Sequence, residues 1–397
     1  MPIQRRRVTI STTDPQNKGG VWGVTEALLQ GLSLLECADI QLIYPTSRKA
    51  LKTTTTELVS GYKAQAFPFR QFLGNTFASH LLSNFRSRIA GSFDDINIAV
   101  GGGNQCAIPF LLAKAKYSLW VSNTVDDEHQ EIYSGRKRKY DIKMFFAYRI
   151  MRPFTKFMEK KIFLNADNIF VESRYSLNLI QRSYGISPQK LVYLPYPMKP
   201  KNEGLVENAI VPGKYILFVG RVDDPRKNVS MLIRAFGLLA DKSLRLALAG
   251  SVREDSEMKL LVSELALSDR VIFLGFVKSD VLHNLFAHAH VFVMPSLQEG
   301  LGNAVIEALS YSVPVVATRC GGVEDSIVDG QNGYLVGVND IPAMARSIMK
   351  ICSNVELRQL LAKGARKHIE EKHSWELFTH ILDSHLFSEK DAADTRR

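Results

Sequence analysis

Between residues 214 and 373, short apolar runs alternate with longer stretches of helical periodicity, and this alternation constrains the fold more than any other feature. The apolar runs are 215–219, 244–249, 271–274, 291–294, 315–317 and 334–336. The helical stretches are 228–240, 256–267, 280–288, 303–311, 340–352 and 356–371. Strands that alternate with helices in this way form a parallel, doubly wound sheet. The sequence therefore predicts an α/β domain over 214–373.

The first half of the chain predicts a second domain of similar type. A length of 397 residues exceeds the usual size of one hydrophobic core. Strand patterns occur at 7–11, 40–44, 96–100, 117–121, 168–171 and 191–194. Glycines follow the first of these strands at Gly19 and Gly20, which suggests a Rossmann-like start. The GxGxxG spacing is absent, so an ordinary strand-to-helix turn remains an equal alternative. Residues 46–92 are predicted as a mixture of helix and loop.

Proline and glycine mark the boundary between the two domains. Residues 196–213 contain three prolines and two glycines, a composition typical of a linker. We therefore predict an N-terminal Rossmann-like domain over 1–195 and a C-terminal domain over 214–373. A last helix is expected over 374–388, and a disordered tail over 389–397.

One loop after the fourth apolar run of the C-terminal domain carries groups that suit a sugar phosphate. Gly300 and Gly302 allow the backbone to approach a ligand closely. Asn303 is the expected N-cap of the following helix, whose first amides can bind an anion. Glu299 and Glu307 supply carboxylates, which accept charge-assisted hydrogen bonds from sugar and ribose hydroxyls.

A second group of charged residues follows the first strand of the same domain. Gly220 permits a tight exit from that strand. Arg221 offers a planar fork for phosphate oxygens, and Lys227 adds a compact charge near the start of a helix. Two such cations can hold a diphosphate. Taken alone, however, the segment is better explained as a loop of solvated charges.

Both groups occur together in a known enzyme family. The matching residues are Gly220-Arg221, Lys227, Glu299, Glu307 with the segment 307–317, Gly321-Gly322, Asp329-Gly330, Gly333 and Ser374-Trp375-Glu376. In this combination the chain resembles the retaining glycosyltransferases of family 4. The resemblance is specific over 215–385 and weaker over 1–195.

The resemblance implies a fold and an activity. The fold is GT-B: α/β, two Rossmann-like doubly wound domains with an intervening cleft, in which 374–388 returns to the N-terminal acceptor domain. The activity is transfer of a sugar from a nucleotide diphosphate-sugar donor to a hydroxyl of a saccharide or lipid-linked acceptor, in cell-surface polysaccharide or glycolipid synthesis. Two alternatives stay open, namely an inactive nucleotide-sugar binding protein and a GT-B sugar-nucleotide epimerase.

The resemblance also assigns roles in the C-terminal domain. Arg221 and Lys227 bind the diphosphate and, with Glu299, form the catalytic set. Glu307 binds the ribose hydroxyls, and Phe276 contacts the base. Glu299 holds the donor sugar together with the backbone of Gly300, Leu301, Gly302 and Asn303.

The N-terminal half of the site matches the family less well. Gly19 and Gly20 correspond to the glycine loop that lies near the phosphates and the acceptor. Many members carry a histidine near the O6 of the sugar. Here the comparable loop, 122–128, contains none, and His129 follows too late to fit cleanly.

No metal or cofactor is expected. Metal-dependent glycosyltransferases of the other major fold use an Asp-x-Asp motif, which this chain lacks. Arg221, Lys227 and the amides near Asn303 already provide positive charge where the leaving diphosphate would lie.

The charge and cysteine content bear on partners and compartment. A net charge of +10 favours an anionic partner, but no nucleic-acid module is recognisable, so no nucleic-acid partner is expected. Residues 135–161 hold ten basic and two acidic side chains among aromatic ones. They fit either a helix on an anionic membrane or a solvated, partly core-packed helix. Four scattered cysteines and the lack of a signal peptide or apolar span predict a cytoplasmic protein, peripheral on the inner face of the membrane if the first interpretation holds.

Overall fold

The computed structural model of the protein describes residues 6–13, 20–35, 38–46, 55–68, 96–102, 104–124, 142–201 and 209–387. These residues divide into two compact units. The first unit contains the described residues up to Pro197 and those from Trp375 onward, whereas the second runs from Met198 to Ser374. The division thus falls beside the start of the predicted linker. The predicted tail, 389–397, lies outside the described residues.

The strands belong to two sheets. Those of the first unit are β1 (Arg6–Ser11), β2 (Ala38–Thr46), β3 (Thr55–Val59), β4 (Tyr62–Pro68), β5 (Ile96–Gly102), β6 (Ser118–Asn123), β7 (Ile169–Val171) and β8 (Leu191–Tyr193). Those of the second unit are β9 (Tyr215–Val219), β10 (Arg245–Ala249), β11 (Val271–Gly275), β12 (Val291–Met294), β13 (Val315–Thr318) and β14 (Gly333–Val336).

The described helices separate most of these strands. They are α1 (Gly20–Leu34), α2 (Ile108–Ala113), α3 (Ile142–Asn165), α4 (Arg174–Tyr184), α5 (Val229–Gly237), α6 (Glu257–Glu264), α7 (Ser279–His288), α8 (Asn303–Ser310), α9 (Ile341–Ser353), α10 (Val355–Lys372) and α11 (Trp375–Leu386). Among them, no helix combines the length and the apolar character needed to cross a bilayer.

The strand orders identify both units as doubly wound. The first sheet runs β3-β4-β2-β1-β5-β6-β7-β8, and the second runs β11-β10-β9-β12-β13-β14. In each sheet the chain builds outward on one side of its first strand and then crosses to the other side. Neighbouring strands are parallel except for β3, which pairs antiparallel with β4 at the edge of the first sheet. The predicted class, two Rossmann-like α/β domains, is confirmed.

The β3–β4 hairpin falls in the segment 46–92, which was predicted as mixed helix and loop, so that prediction was wrong for these residues. Its two-residue turn, Ser60-Gly61, has φ angles of 50° and 84°. Positive φ at both positions is the geometry of a tight hairpin turn, which Asn-Gly or Asp-Gly signals most strongly. Ser-Gly is a weaker signal, and this explains why the hairpin went unrecognised.

The C-terminal helix α11 packs in the first unit against α1. Phe378 of α11 lies so close to Gly31 that a Cβ there would meet its ring at 2.5 Å. The ring centroids of Phe378 and the buried Trp120 are 5.6 Å apart. The missing side chain at Gly31 therefore lets α11 settle on α1 and cover the centre of the first sheet.

Ser312, just after α8, adopts a left-handed backbone conformation with a φ of 60°. This region costs a residue with a Cβ roughly 1–2 kcal/mol, and glycine is free of that cost. We expect Ser312→Gly to raise the melting temperature by about 2–4 °C, the shift that ~1 kcal/mol produces in a domain of this size. Ser312→Ala keeps the Cβ and is the control. Equal melting temperatures for the two variants in differential scanning fluorimetry would contradict this explanation.

Glu172, at the end of β7, makes the stability of the first unit depend on pH. Burial raises the pKa of Glu172 to about 7, although the hydrogen bond from Trp120 Nε1 (3.2 Å) opposes the shift. In the unfolded chain the carboxyl ionises nearer the ordinary glutamate pKa of 4.5, so the folded state loses stability as pH rises from there towards 7. Over that range the loss is on the order of 3 kcal/mol.

Glu172→Gln removes the ionisable group and should abolish this loss. In urea unfolding, the variant should therefore gain stability over the wild type between about pH 5 and about pH 8, by roughly 2–3 kcal/mol. The exposed Glu376, in the first turn of α11, provides the matched control as Glu376→Gln. Parallel pH profiles for wild type and Glu172→Gln would rule out the assignment.

Candidate functional site

The predicted site lies where the second sheet reverses its order. From β9 the chain builds outward through β10 to β11, and it then crosses to β12 on the other side of β9. Open α/β sheets bind ligands at the carboxyl ends of the strands at such a switch point. The loop after β9 carries Arg221 and Lys227, and the loop after β12 carries Glu299. The fold thus places the loop with Arg221 and Lys227 next to the loop with Glu299, because β9 and β12 are neighbours in the sheet.

Lys227 and Glu299 form a direct ion pair. The distance from Lys227 Nζ to Glu299 Oε1 is 2.7 Å, and the side chains are only 18% and 13% exposed. Ser296 Oγ also donates to Glu299 Oε1, at 2.6 Å. The loops are joined by their backbones as well, since the amide of Leu297 donates to the carbonyl of Arg226. One carboxylate oxygen is therefore held by two donors, in a region sheltered from solvent.

Arg221 is positioned by a neighbouring aspartate. Asp224 is buried and lies 2.8 Å from an Arg221 nitrogen and 2.9 Å from an Arg226 nitrogen. Burial alone would raise the pKa of Asp224, but the hydrogen bond from Arg226 and the charges of both arginines outweigh it and lower the pKa. Asp224 also accepts from the amide of Arg226 at the start of the turn Pro225–Lys227. The Arg221 side chain remains 62% exposed, so its guanidinium presents donors to solvent.

Close backbone contacts shape the loop that carries Glu299. The backbone amide of Glu299 donates a hydrogen bond to the carbonyl of Cys320, and the carbonyl of Glu299 accepts one from the amide of Gly322. A Cβ on Gly322 would lie 1.8 Å from the carbonyl oxygen of Gly300, so only glycine fits there. Gly322 was not predicted as a site residue, although the glycine pair at 321–322 was the available signal.

The start of α8 differs from the prediction for Asn303. Gly302, with a φ of 80°, occupies the N-cap position, and no side chain caps this helix. Asn303 is instead the first helical residue and is exposed. The prediction of Asn303 as the N-cap was therefore wrong, because the left-handed residue Gly302 takes the cap position and Asn303 already belongs to the helix. Leu301 is buried and anchors the loop.

Glu307 lies one turn into α8 in an environment that disfavours its charge. Burial raises the pKa of Glu307, and the positive charge of Lys201 opposes the shift. The backbone of Lys201 is held beside α8, because its amide donates to the carbonyl of Ser310 at 2.8 Å. Lys201 belongs to the predicted linker, and no sequence motif indicated that it would lie near Glu307.

Phe276 lies at the same edge of the second sheet, on the side where β11 is the last strand. It follows β11 and is 87% exposed. The amide of Gly250 donates to Gly275 at 2.7 Å, and a Cβ on Gly250 would lie 1.8 Å from the carbonyl oxygen of Gly220. The ends of β9, β10 and β11 therefore touch backbone to backbone, which places the Phe276 loop two strands away from Arg221.

The predicted residues of the N-terminal domain are only partly described. Gly20 is the first residue of α1. Gly19 and His129 lie outside the described residues, as does most of the loop 122–128. The described site is therefore the one in the second unit.

Residues 206–368, most of the second unit, match the profile of a family described as "Glycosyl transferases group 1". This segment belongs to that family. The group 1 domain thus contains all the site residues discussed for the second unit except Lys201. It is the part of the chain in which the resemblance noted in the sequence was most specific, and that prediction is confirmed at the level of the group 1 family.

A curated relative of the chain agrees with this assignment. The chain is 28% identical over 222 residues to the capsular polysaccharide biosynthesis glycosyltransferase CapM of Staphylococcus aureus, which is 55% of this chain and 56% of CapM. The chain spans about half the length of the curated relatives it matches.

Solved structures share the fold. Sucrose-phosphate synthase from Thermosynechococcus elongatus aligns over 98% of this chain and 100% of its own, with a TM-score of 0.77 and 19% identity. HepE from Anabaena, in complex with UDP-glucose, aligns over 96% of this chain and 99% of its own, with a TM-score of 0.69 and 14% identity. These likenesses confirm the GT-B fold class.

Proposed function

We propose that the protein is a glycosyltransferase that moves a sugar from a nucleotide diphosphate-sugar to a hydroxyl acceptor, with retention at the anomeric carbon. The observation that carries the proposal is the 2.7 Å pair of Lys227 and Glu299 at the switch point of the group 1 domain, with Arg221 on the same loop as Lys227. The pair sets a cation for phosphate beside a carboxylate for sugar hydroxyls. Support comes from HepE, whose structure contains UDP-glucose on a similar fold.

The chemistry requires stabilisation of a leaving diphosphate. As the bond from the anomeric carbon to the diphosphate breaks, the sugar gains oxocarbenium character and negative charge grows on the phosphate oxygens. Fixed cations aimed at those oxygens stabilise the transition state more than the ground state. In our proposal Arg221 and Lys227 take this role. Glu299 then binds the sugar hydroxyls, and Glu307 binds the ribose.

The acceptor in this proposal is a saccharide or a lipid-linked saccharide of a cell-surface polymer or glycolipid. CapM, a relative of the group 1 domain, is named for capsular polysaccharide biosynthesis. This role is a proposal for the whole chain, because the match covers only 56% of CapM.

Two measurements on the purified full chain test the proposal. A panel of UDP-, GDP- and ADP-sugars is first screened by thermal shift, because a ligand that binds only the folded state raises its melting temperature. The stabilising donor is then followed by NMR with simple glycosides as acceptors. We expect release of the nucleotide diphosphate and a product that keeps the anomeric configuration of the donor.

Other outcomes separate the competing functions. Binding without release of nucleotide from any donor, even as slow hydrolysis, would indicate a binding protein. Conversion of the donor into an isomeric sugar would indicate an epimerase. A product of inverted configuration would refute retention while leaving sugar transfer intact.

A further inference from the structure

The second half of α3 exposes an apolar and basic face. Phe154, Phe157 and Leu164 are 42%, 54% and 50% exposed, and Lys160 and Lys161 are exposed as well. At 100° per residue, these five side chains fall within an arc of about 120° on one side of the helix. They therefore form one continuous surface, which we call the α3 outer face.

The opposite side of α3 already provides the contacts that the fold needs. Thr155, Glu159, Ile162 and Phe163 are buried, and the last two belong to the core beneath the first sheet. Phe154 and Phe157 thus lie on the side of the helix that faces away from this core. A helix that is merely solvated would carry polar residues at these outward positions.

In this part of α3, an acidic residue lies on the buried side, and Lys160 and Lys161 lie on the exposed side. Glu159 is the only acidic residue in 152–165. It is fully buried, and it accepts hydrogen bonds from Asn104 Nδ2 (2.5 Å) and from the hydroxyl of Tyr184. Outside, Lys161 Nζ lies 4.8 Å from the centre of the Phe157 ring. The outer face consequently presents lysines to solvent without a neighbouring carboxylate from its own segment.

We infer that the α3 outer face docks on the surface of a bilayer that contains anionic lipids. Phenylalanine and leucine side chains bury in the boundary between headgroups and acyl chains, while lysines extend to the lipid phosphates. A protein partner fits less well, because lysine is depleted from the cores of protein interfaces and here it lies among the aromatics. The docking is inferred from the α3 outer face and does not depend on the proposed function. Its purpose, access to a lipid-linked acceptor, does rest on the proposed function.

Vesicle sedimentation of the full chain tests the electrostatic part. Vesicles of phosphatidylcholine are compared with vesicles that also contain roughly 30% phosphatidylglycerol, at about 0.1 M salt. The wild type should sediment with the anionic vesicles only. Lys160→Glu/Lys161→Glu should weaken this partitioning at least ~20-fold, given about fivefold for each lysine removed and a further loss from the introduced charges.

Lys363→Glu/Lys367→Glu is the matched control. These lysines are exposed on α10 in the second unit, and the double variant changes the net charge equally. It should retain partitioning within about threefold, because these lysines are not part of the α3 outer face. Equal losses of vesicle partitioning in the two double variants would show that binding depends only on the net charge of the protein, and this result would overturn the proposal.

Insertion of the aromatics is tested separately. Phe154→Ser/Phe157→Ser should abolish most binding, whereas Leu260→Ser/Leu360→Ser, at positions each 62% exposed in the second unit, should not. Phe157→Trp places a fluorophore on the face. Brominated anionic vesicles should quench it beyond the wild-type background, and Leu360→Trp should show no added quenching.

Several results would overturn the inference. Equal sedimentation with neutral and anionic vesicles would remove the lipid specificity, and no sedimentation would remove the docking itself. Concentration-dependent self-association that Phe154→Ser/Phe157→Ser abolishes, without vesicle binding, would assign the face to a second copy of the chain. Melting temperatures within about 2 °C of wild type establish that the variants fold. None of these readouts needs sugar transfer, so failure of the proposed function leaves them interpretable.

Discussion

Replacing Lys227 with alanine is expected to lower the turnover number for sugar transfer by about 10²–10³-fold, the range seen when one fixed donor to a developing charge is removed. Two physical effects combine. The variant loses the cation proposed to face the leaving diphosphate. It also leaves the carboxylate of Glu299, only 13% exposed, without its 2.7 Å partner and beside the phosphates. Lys227→Met keeps the apolar stem and isolates the charge.

The measurement is steady-state transfer with the best donor from the thermal-shift screen. Arg221→Ala should also reduce the rate, though less, because its side chain is 62% exposed and its charge is better screened. Lys363→Ala, on the exposed side of α10, controls for a general loss of positive charge. A rate within about threefold of wild type for Lys227→Met would show that this cation does not act on the leaving group.

Chelation provides an independent comparison for the same assignment. We propose that transfer needs no divalent metal, because Arg221, Lys227 and the α8 amides supply the charge that a metal would bring. Activity in excess EDTA should therefore match the untreated enzyme, while Lys227→Met remains impaired. Loss of transfer in EDTA with rescue by Mg²⁺ or Mn²⁺ would reassign the stabilisation of the leaving group to a metal.

The parts of the fold that follow from local patterns were predictable from the sequence. The strands β9 and β12 were predicted with the same bounds as in the structure, and each other strand of the second sheet differs from its predicted bounds by one residue at one end. Alternation of apolar runs and amphipathic helices determines such elements locally. The start of α8 was not predicted correctly, because Asn303 resembles an N-cap while the left-handed conformation of Gly302 decides the geometry.

Contacts between distant residues were less accessible to sequence reasoning. Lys227 and Glu299 were both predicted as site residues, but their direct pairing across 72 positions depends on the crossing from β9 to β12. Asp224 was not predicted at all, since an aspartate in a charged loop normally indicates a solvated surface. Its burial between two arginines becomes visible only when the loop is folded.

The pairing of Lys227 with Glu299 leads to different expectations for the two glutamates of the site. Glu307→Ala should weaken binding of the bare nucleoside diphosphate by roughly 1.5–3 kcal/mol, which is the value of a hydrogen bond to a charged group. Glu299→Gln should leave that affinity unchanged or tighten it, because it releases Lys227 from its ion pair and leaves more positive charge for the phosphates. The Glu299→Gln substitution should instead lower the rate of transfer and the discrimination among donor sugars.

Isothermal titration with UDP or GDP, whichever the thermal-shift screen selects, measures the first effect, and steady-state kinetics with two epimeric donors measures the second. The pH profile adds a further test for Glu307. Because burial raises the pKa of Glu307, its carboxylate forms only as pH increases through that raised value, and wild-type nucleotide affinity should increase over the same interval. Glu307→Gln should flatten this increase, whereas Glu299→Gln should preserve it. Equal losses of bare nucleotide affinity in the two variants would contradict the division between ribose and sugar, because loss of the Glu299 charge should not weaken nucleotide binding.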